Sequence, residues 1–479
     1  MPFLTHYPQL KTIQSLARTE KVKVYLVGGF LRDYLLKRQK FDFDFAVEKN
    51  AVPFARRIAR KIKGAFVLLD ENHGCARVVK KFNGQIWTFD FADFRAKTFA
   101  QDLAHRDFTI NTLAVDLDAF DGNQEFNEVL LDKRGGIKDL ENKKIRMSST
   151  KVFKEDPLRT LRAFSLRANL GFKIDSKTLT QIKKDRELIR SVSHERVRDE
   201  LFKILETDRA AQTIKEMDHI ELLEEIIPQI RVMFGCKQGG YHHLDVWPHS
   251  LEVVAQLENV FEQMKNNVDV VYFLNEKLGG ERTRRALLKL AALLHDIGKP
   301  RTQKKEKGRM TFHGHEHVGK DLTRVIAKML KLSTDERYAL EDIVRWHLRP
   351  GYLSNFKKPT ERAVYRYFRD TKEEAMSVLL LSLADQRSTR GPLTTQADQR
   401  HHEKICLGLI DRHFAKKEEK PFTRLIGGHD LIKTLKLKPS PLFGKILIKI
   451  EEAQSLGKIS TKKEALDLAR KIAKRKHLS

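Results

Sequence analysis

Residues 38–47 read RQKFDFDFAV. The stretch is apolar enough for a buried strand, yet it carries Asp42 and Asp44. In a strand, side chains at i and i+2 point to the same face, so the two carboxylates stand side by side. Adjacent carboxylates repel unless something positive lies between them. A divalent ion is the economical solution, because paired oxygen ligands suit Mg²⁺, which keeps several waters and shares its remaining positions with phosphates. Two such ions would activate a hydroxyl and stabilise a leaving pyrophosphate. Such a site usually has a third acid. The run QIWTFDFADF (85–94) reads as another strand and offers Asp90, whereas Asp93, near its end, also suits a strand-end or turn role.

Upstream, VKVYLVGG (22–29) is a short apolar run ending in Gly28 and Gly29, and FLRDYLLKR then has helical spacing. A strand, a glycine turn and a helix let backbone approach a phosphate, with free N–H groups at the helix start. A bare Gly-Gly is more often only a turn. Arg32 could touch a triphosphate, and Asp33 could orient it or pair with it.

The chain has 479 residues, a length that suggests about three domains. An apolar fraction of 41% is enough for globular folding. Lys plus Arg number 91 against 64 Asp plus Glu, a net charge of +27. That excess favours a polyanionic partner, nucleic acid first and an acidic membrane surface second. The N-terminal residues lack a basic-then-apolar signal pattern, and no apolar run is long enough to span a bilayer. Cys75, Cys236 and Cys406 are far apart and odd in number, so neither a disulfide framework nor a CxxC metal site is read, which fits a reducing cytoplasm. The lysine-rich stretches KKEKGR near 304 and KKEEK near 416 read as solvated loops.

Two later regions carry further chemistry. FKEDPLRTLRAFSLRANLGF (153–172) reads as one helix with Asp156, Arg159 and Arg162 sharing a face. Its ordinary reading is Asp156 as N-cap, Pro157 at the first helical position and a solvated arginine face. Downstream, His249, the dipeptide His295–Asp296 at the end of an apolar helix, and Asp385 make a mixed nitrogen and oxygen set suited to a transition metal or Mg²⁺. Lys299 could contact a phosphate.

In combination these motifs resemble the class II tRNA nucleotidyltransferases (CCA-adding enzymes) and bacterial poly(A) polymerases. LVGGFLRDYLL…FDFDFAV is similar to their first motif. DLAHRDFTINTLAVD (102–116) resembles the second, with Arg106, Asp107 and Asn111 in matching places and His105 where an arginine is common. LLDKRGGIKDLENKKIR (130–146), with Asp132, Gly135, Gly136 and Asp139, resembles the third, which joins head to neck and flexes. EDPLR resembles the nucleotide-selection motif: Asp156 and Arg159 would read the base, and Glu155 would support Arg159 as a protein template. Adenine and cytosine both place an amino donor beside a ring-nitrogen acceptor, which a carboxylate and a guanidinium match, whereas guanine and uracil present the opposite order. SHERVRDELFKIL (193–205), with Arg196 and Arg198, resembles the next motif and is expected to support the neck.

The later histidines resemble the HD phosphohydrolase superfamily, and His315 and His347 lie where related domains add phosphate contacts or second-metal ligands; a structural role is equally open. Some bacterial CCA-adding enzymes carry such a domain, which implies metal-dependent opening of 2′,3′-cyclic phosphates or removal of terminal phosphates. The tail (425–472) resembles the segment that follows, with Gly428-His429-Asp430-Leu431 and Pro439-Ser440-Pro441 in place of the usual GKDL and PGP.

The resemblance implies an α+β chain: a polymerase-beta-like nucleotidyltransferase head with a small mixed sheet (1–148), an all-α neck for nucleotide selection and RNA binding (149–235), an HD domain (236–400) and a helical tRNA-binding tail (401–479). The head would use Mg²⁺ on Asp42 and Asp44 with Asp90, and nucleotide contacts from Gly28, Gly29, Arg32, Arg106, Asp107, Asn111, Asp156, Arg159 and Arg162. The HD domain would hold Mg²⁺, Mn²⁺ or Ni²⁺ on His249, His295, Asp296 and Asp385. The expected reaction is cytoplasmic addition of CCA to tRNA from CTP and ATP, with a secondary phosphohydrolase activity. A CC-adding or A-adding specialist, or a poly(A) polymerase, shares this pattern. An HD phosphohydrolase with an RNA-binding head and a non-catalytic RNA-binding protein are the readings from other classes.

Overall fold

The computed structural model describes residues 7–119, 126–417, 423–435 and 440–476. Pro439 and the end of the KKEEK stretch lie outside them. Two compact units are present, one of residues 1–209 and 216–226, the other of residues 210–215 and 227–479.

The first unit is built on a seven-stranded sheet. Its strands are β1 (Val24–Val27), β2 (Asp42–Val47), β3 (Ala65–Asp70), β4 (Cys75–Phe82), β5 (Gln85–Asp93), β6 (Ala114–Asp116) and β7 (Leu130–Leu131), in the spatial order β3-β4-β5-β2-β1-β6-β7. Only β2 and β5 pair in parallel. Their register sets Phe43 against Phe89, Asp44 against Asp90 and Phe45 against Phe91. The period of two then sorts the side chains by face. The phenylalanine rings stack across the strands at 5.2 Å (Phe43–Phe89) and 4.8 Å (Phe45–Phe91), fully buried. The helix Ala51–Ile62 covers them with Phe54, Ala55, Ile58 and Ala59, Phe54 meeting Phe91 edge-on at 5.7 Å. Asp42 is exposed and Asp44 half-buried on the opposite face. Burial pushes the Asp44 carboxyl up to about 6; Arg106 and Arg162 act against that shift, whereas Asp90 and Asp42 add to it.

After the sheet the first unit is helical. The expected single helix over 153–172 is two, Val152–Glu155 and Leu158–Leu170. Pro157 is the reason: the residue before a proline is driven out of the helical region, and Asp156 is extended at φ −147°, ψ 100°. A short parallel pair, Lys144–Ile145 with Lys173–Ile174, ties the segment before these helices to the one after them.

Among the described residues, the regular structure of the second unit is helical apart from two small hairpins. The KKEKGR stretch, read as a loop, forms one of them, Lys304–Glu306 with Arg309–Thr311. Lys307 (φ 48°) and Gly308 (φ 78°) give the left-handed turn whose twist matches paired strands. Arg284–Leu294 is a core helix that buries even Lys289, whose Nζ lies 3.0 Å from Glu258 Oε1. Gln396–Lys417 is one continuous helix that runs through the expected domain boundary at 400 and through Lys416 and Lys417. In the tail, Ile426, Leu431, Ile446, Ile450, Ala465 and Ala469 form a small core.

The two faces of β2 make opposite predictions. Phe45→Ala is expected to cost about 3–5 kcal/mol in urea denaturation. Asp44→Asn is expected to stabilise the chain in chelator. The folded carboxyl keeps its proton to about pH 6, and the unfolded one only to about 4. Ionisation therefore costs stability above the folded value and nothing below the unfolded one. Thermal unfolding should show a gain for Asp44→Asn near neutral pH that disappears below about pH 4.

Candidate functional site

The first unit holds a cleft over the carboxylate face. Asp44 and Arg162 line two adjoining pockets of it, about 430 and 270 Å³. The first pocket adds Asp42, Gly29 and Arg32; the second adds Asp90, Arg106, Asp107, Asp156 and Arg159. The sheet and the helix Leu158–Leu170 thus bring most of the expected head residues to one place.

Several of these residues are already engaged. Thr88 Oγ1 donates to Asp42 Oδ1 at 2.6 Å. Asp90 stands level with Asp44, but both its oxygens accept from Arg77, each at 2.7 Å. Arg32 does not face a phosphate freely: it is buried, pairs with Asp33 at 2.9 Å and donates to Asn111 Oδ1 at 2.7 Å. Asn111 Nδ2 in turn donates to Asp107 Oδ1 at 3.0 Å. Burial works to raise the Asp107 carboxyl, but Arg162, with Nε 2.8 Å away, and the Asn111 and Phe108 hydrogen bonds outweigh it and hold Asp107 below the usual range. Arg32, Asn111, Asp107 and Arg162 form one chain of contacts under the cleft. Gly28 opens the space in front of Asp44: its φ is +83°, and a Cβ there would lie 2.9 Å from Asp44 Oδ2.

At the other wall, Asp156 Oδ1 accepts the Leu158 N–H at 3.2 Å and Oδ2 accepts Arg196 Nη2 at 2.8 Å. Arg159 donates through Nη2 to the His105 carbonyl at 2.7 Å and through Nη1 to the Val152 carbonyl at 3.3 Å. Glu155 lies 3.5 Å from Arg159 and 3.0 Å from His105 Nδ1. His105 and Arg159 therefore share the Glu155 carboxylate. The sequence reading missed Arg77, Arg95 and the cleft position of Arg196, all beside these acids. Arg77 comes to Asp90 through the register of β4 on β5, which sets the two opposite each other on the face away from buried Ala76 and Val78.

The second unit gathers the histidines. His249, His295 and Asp385 form one ligand group, and Asp296, His315 and His347 a second, the ligand atoms of each lying within 4.8 Å of one another. Asp296 stands between them. Its Oδ2 is 3.2 Å from His295 Nε2, and its Oδ1 is 3.3 Å from His315 Nε2 and 3.7 Å from His347 Nε2. His315 and His347 thus belong to the cluster, and His347 is pushed down to about 3 by burial and by His315 and His295. Three rings donate Nδ1–H to a carbonyl three residues back: His295 to Ala292 (2.8 Å), His315 to Phe312 (2.8 Å) and His347 to Val344 (2.7 Å). A carbonyl can only accept, so in each neutral ring the lone pair of Nε2 faces the cluster, the orientation of a metal ligand. His295 Nε2 is buried without a hydrogen-bond partner. These donors fit divalent metal, and their imidazole content suits a transition metal better than Mg²⁺.

Lys299 Nζ sits 2.6 Å from Asp296 Oδ2 and donates to Gln238 Oε1 at 2.6 Å. Gly298 allows the close approach of the helix His315–Met329, since a Cβ there would collide with the His315 carbonyl at 2.1 Å. His242, which the sequence reading passed over, packs edge-on against His249 at 4.7 Å. The cysteines are free, and among the described residues no helix is long and apolar enough to cross a membrane.

Family models match in the same order: the poly A polymerase head domain (24–146), the RNA and SrmB-binding site of polymerase A (171–233), the HD domain (246–416) and tRNA nucleotidyltransferase domain 2 (417–469). The A-adding tRNA nucleotidyltransferase of Deinococcus radiodurans is 32% identical over 92% of this chain and 93% of its own. The CC-adding enzyme of Thermus thermophilus is 28% identical over 92% and 91%. Among solved structures, a CCA-adding enzyme with ATP superposes with a TM-score of 0.65 at 21% identity, covering 97% of this chain and 94% of that one. The Thermotoga maritima CCA-adding enzyme complexed with tRNA gives 0.61 at 22%, over 96% and 93%. With a sheet that sorts aspartate from phenylalanine, a helical HD unit later in the chain and this identity along nearly its whole length, the chain belongs to the tRNA nucleotidyltransferase family whose poly(A)-polymerase-type head is joined to an HD domain.

Proposed function

We propose that this chain completes the CCA end of tRNA, adding C and A from CTP and ATP. The observation that carries the reading is the single cleft in which Asp44, Asp90 and Arg106 meet Asp156 and Arg159. The reaction joins the RNA 3′ oxygen to the α-phosphorus and releases pyrophosphate. Asp42 and Asp44 would hold Mg²⁺, which supplies activation of the hydroxyl and charge for the leaving group. Arg106 and Arg162 place positive charge beside Asp44, where the triphosphate brings negative charge. Asp156 keeps acceptor capacity beyond its bonds to Leu158 and Arg196. Arg159 keeps Nε–H and one Nη2–H beyond its bonds to carbonyls and Glu155. That pairing accepts the amino-and-ring-nitrogen edge of adenine or cytosine and leaves buried groups unpaired against guanine or uracil. The basic surface would hold tRNA through its phosphates, in the cytoplasm.

In the second unit we propose a metal-dependent phosphohydrolase. His249, His295 and Asp385 would hold one metal and His315 and His347 another, with Asp296 shared; the metals would make water nucleophilic toward phosphorus. Lys299 would meet the phosphate oxygens. A second reading for the head, addition of the terminal A alone, is favoured by the 32% identity to an A-adding relative.

Three tRNA transcripts, one lacking CCA, one ending in C-C and one complete, are incubated with Mg²⁺ and CTP, ATP or both, and their 3′ ends are sequenced. Addition of C-C-A to the first and then a stop establishes the first reading; addition only to the second establishes the A-adding one. Long A tails on any RNA overturn both. Asp42→Ala should lower nucleotide addition more than about 100-fold and spare phosphohydrolysis, and His295→Ala should do the reverse. Arg159→Ala should erode the preference for ATP and CTP over GTP and UTP, measured as kcat/KM ratios.

A further inference from the structure

The cavity over the HD cluster, about 610 Å³, adjoins a second cleft of about 360 Å³ in the same unit. Gln386 and His402 line both. Of the metal-ligand groups, Asp296, His315, His347 and Asp385 line the first cavity and none lines the second, which is lined by Arg387, Arg390 and Arg400, with Glu403 as its single acid. Arg387 pairs with Glu403. Arg390 spends Nε on the Arg387 carbonyl at 3.0 Å and is otherwise exposed. Arg400 is exposed and makes no hydrogen bond or ion pair among the described residues. Arg390 is near enough to Glu252 to feel its charge but forms no ion pair with it, and Arg400 is left uncompensated, so both can turn guanidinium N–H groups to a phosphate beside the HD cavity, with the Gln256 and Gln399 amides in the same cleft. At the mouth of the HD cavity, Tyr241 and Tyr352 are 59% and 56% exposed, two large rings with much of their surface open to solvent.

We propose that the Arg387–Arg390–Arg400 cleft is the strand subsite of the HD centre. It takes the phosphodiesters next to the end of a single-stranded RNA, while the terminal phosphate enters the cluster and a terminal base stacks on Tyr241 or Tyr352. Guanidinium groups pair with phosphate oxygens in forked geometry, and aromatic rings accept any base. The inference rests on the phosphohydrolase reading above and names its substrate class: a polynucleotide end, in preference to a free mononucleotide. Hydrolysis of a 3′-phosphate adds water oxygen to phosphorus and breaks the bond to the 3′ oxygen, which leaves as the hydroxyl with the second proton of water. For a 2′,3′-cyclic phosphate, the same addition breaks one ring P–O bond and leaves a phosphomonoester.

The test uses the full-length protein with Mn²⁺. A short RNA ending in a 3′-phosphate, the same RNA with a 2′,3′-cyclic phosphate, 2′,3′-cyclic AMP and p-nitrophenyl phosphate are compared as substrates for wild type and for Arg390→Ala/Arg400→Ala. The double variant removes two exposed side chains and should fold as wild type. Its kcat/KM on the RNA ends should fall about tenfold or more, mostly in KM, with a salt dependence shallower by about two charges. Activity on cyclic AMP and p-nitrophenyl phosphate should stay within twofold. Tyr241→Ala/Tyr352→Ala should raise KM for the RNA ends and for 2′,3′-cyclic AMP, which also carries a terminal base, and spare p-nitrophenyl phosphate; no change on either base-bearing substrate overturns the stacking role. Equal loss on all substrates, or no loss on RNA, overturns the subsite while leaving the phosphohydrolase standing. Absence of wild-type hydrolysis on every substrate overturns the phosphohydrolase reading and the subsite with it.

Discussion

The alternation of β2 is the constraint on which the first unit depends. A strand has two faces, and FDFDF assigns phenylalanine to one and aspartate to the other without exception over its central residues. The apolar face is satisfied by stacking on β5 and by the helix Ala51–Ile62. The acidic face cannot be satisfied within the strand. Parallel pairing makes the imbalance greater, because it sets Asp90 level with Asp44. The surrounding chain responds with cations: Arg77 holds Asp90, while Arg106 and Arg162 oppose the rise that burial imposes on Asp44. What remains is a carboxylate pair facing a cleft, Asp42 exposed and Asp44 half-buried, which the fold tolerates at a cost in stability and which chemistry can use.

The second unit solves a related problem with different atoms. Here the buried donors are imidazoles, and the fold must fix which nitrogen faces inward. It does so by placing His295 and His347 directly after helices, with each Nδ1 tied to a carbonyl of the preceding turn. His315 opens its helix and uses the Phe312 carbonyl in the same way. The two centres therefore differ in hardness: oxygen donors in the first unit, mixed nitrogen and oxygen donors in the second. That difference separates the metals each would select.

The cleft wall that carries Asp156 and Arg159 joins the sequence logic to the tertiary structure. Pro157 forces Asp156 out of the helix, so its carboxylate turns toward the cleft and caps the next helix at once. Arg159 is then fixed by carbonyls of His105 and Val152, residues far apart in sequence. His105, where the family pattern commonly has an arginine, reaches Glu155 and so touches the same wall through that carboxylate.

The sequence by itself determined what short-range periodicity and spacing can carry. Asp42 and Asp44 share a face because a strand has period two, the glycine turn precedes them, and the HD histidines stand at recognisable intervals. It did not determine which charges meet. In a chain with 91 lysines and arginines, no local rule singles out Arg77, Arg95 or Arg196, and their roles come from strand register and helix packing. Nor did it place Asp296 between two ligand groups, or reveal that Arg32 is consumed by Asp33 and Asn111. Ion pairs and metal sites are fixed by distances of a few ångströms between residues that can lie a hundred or more apart along the chain, and only the folded backbone sets those distances.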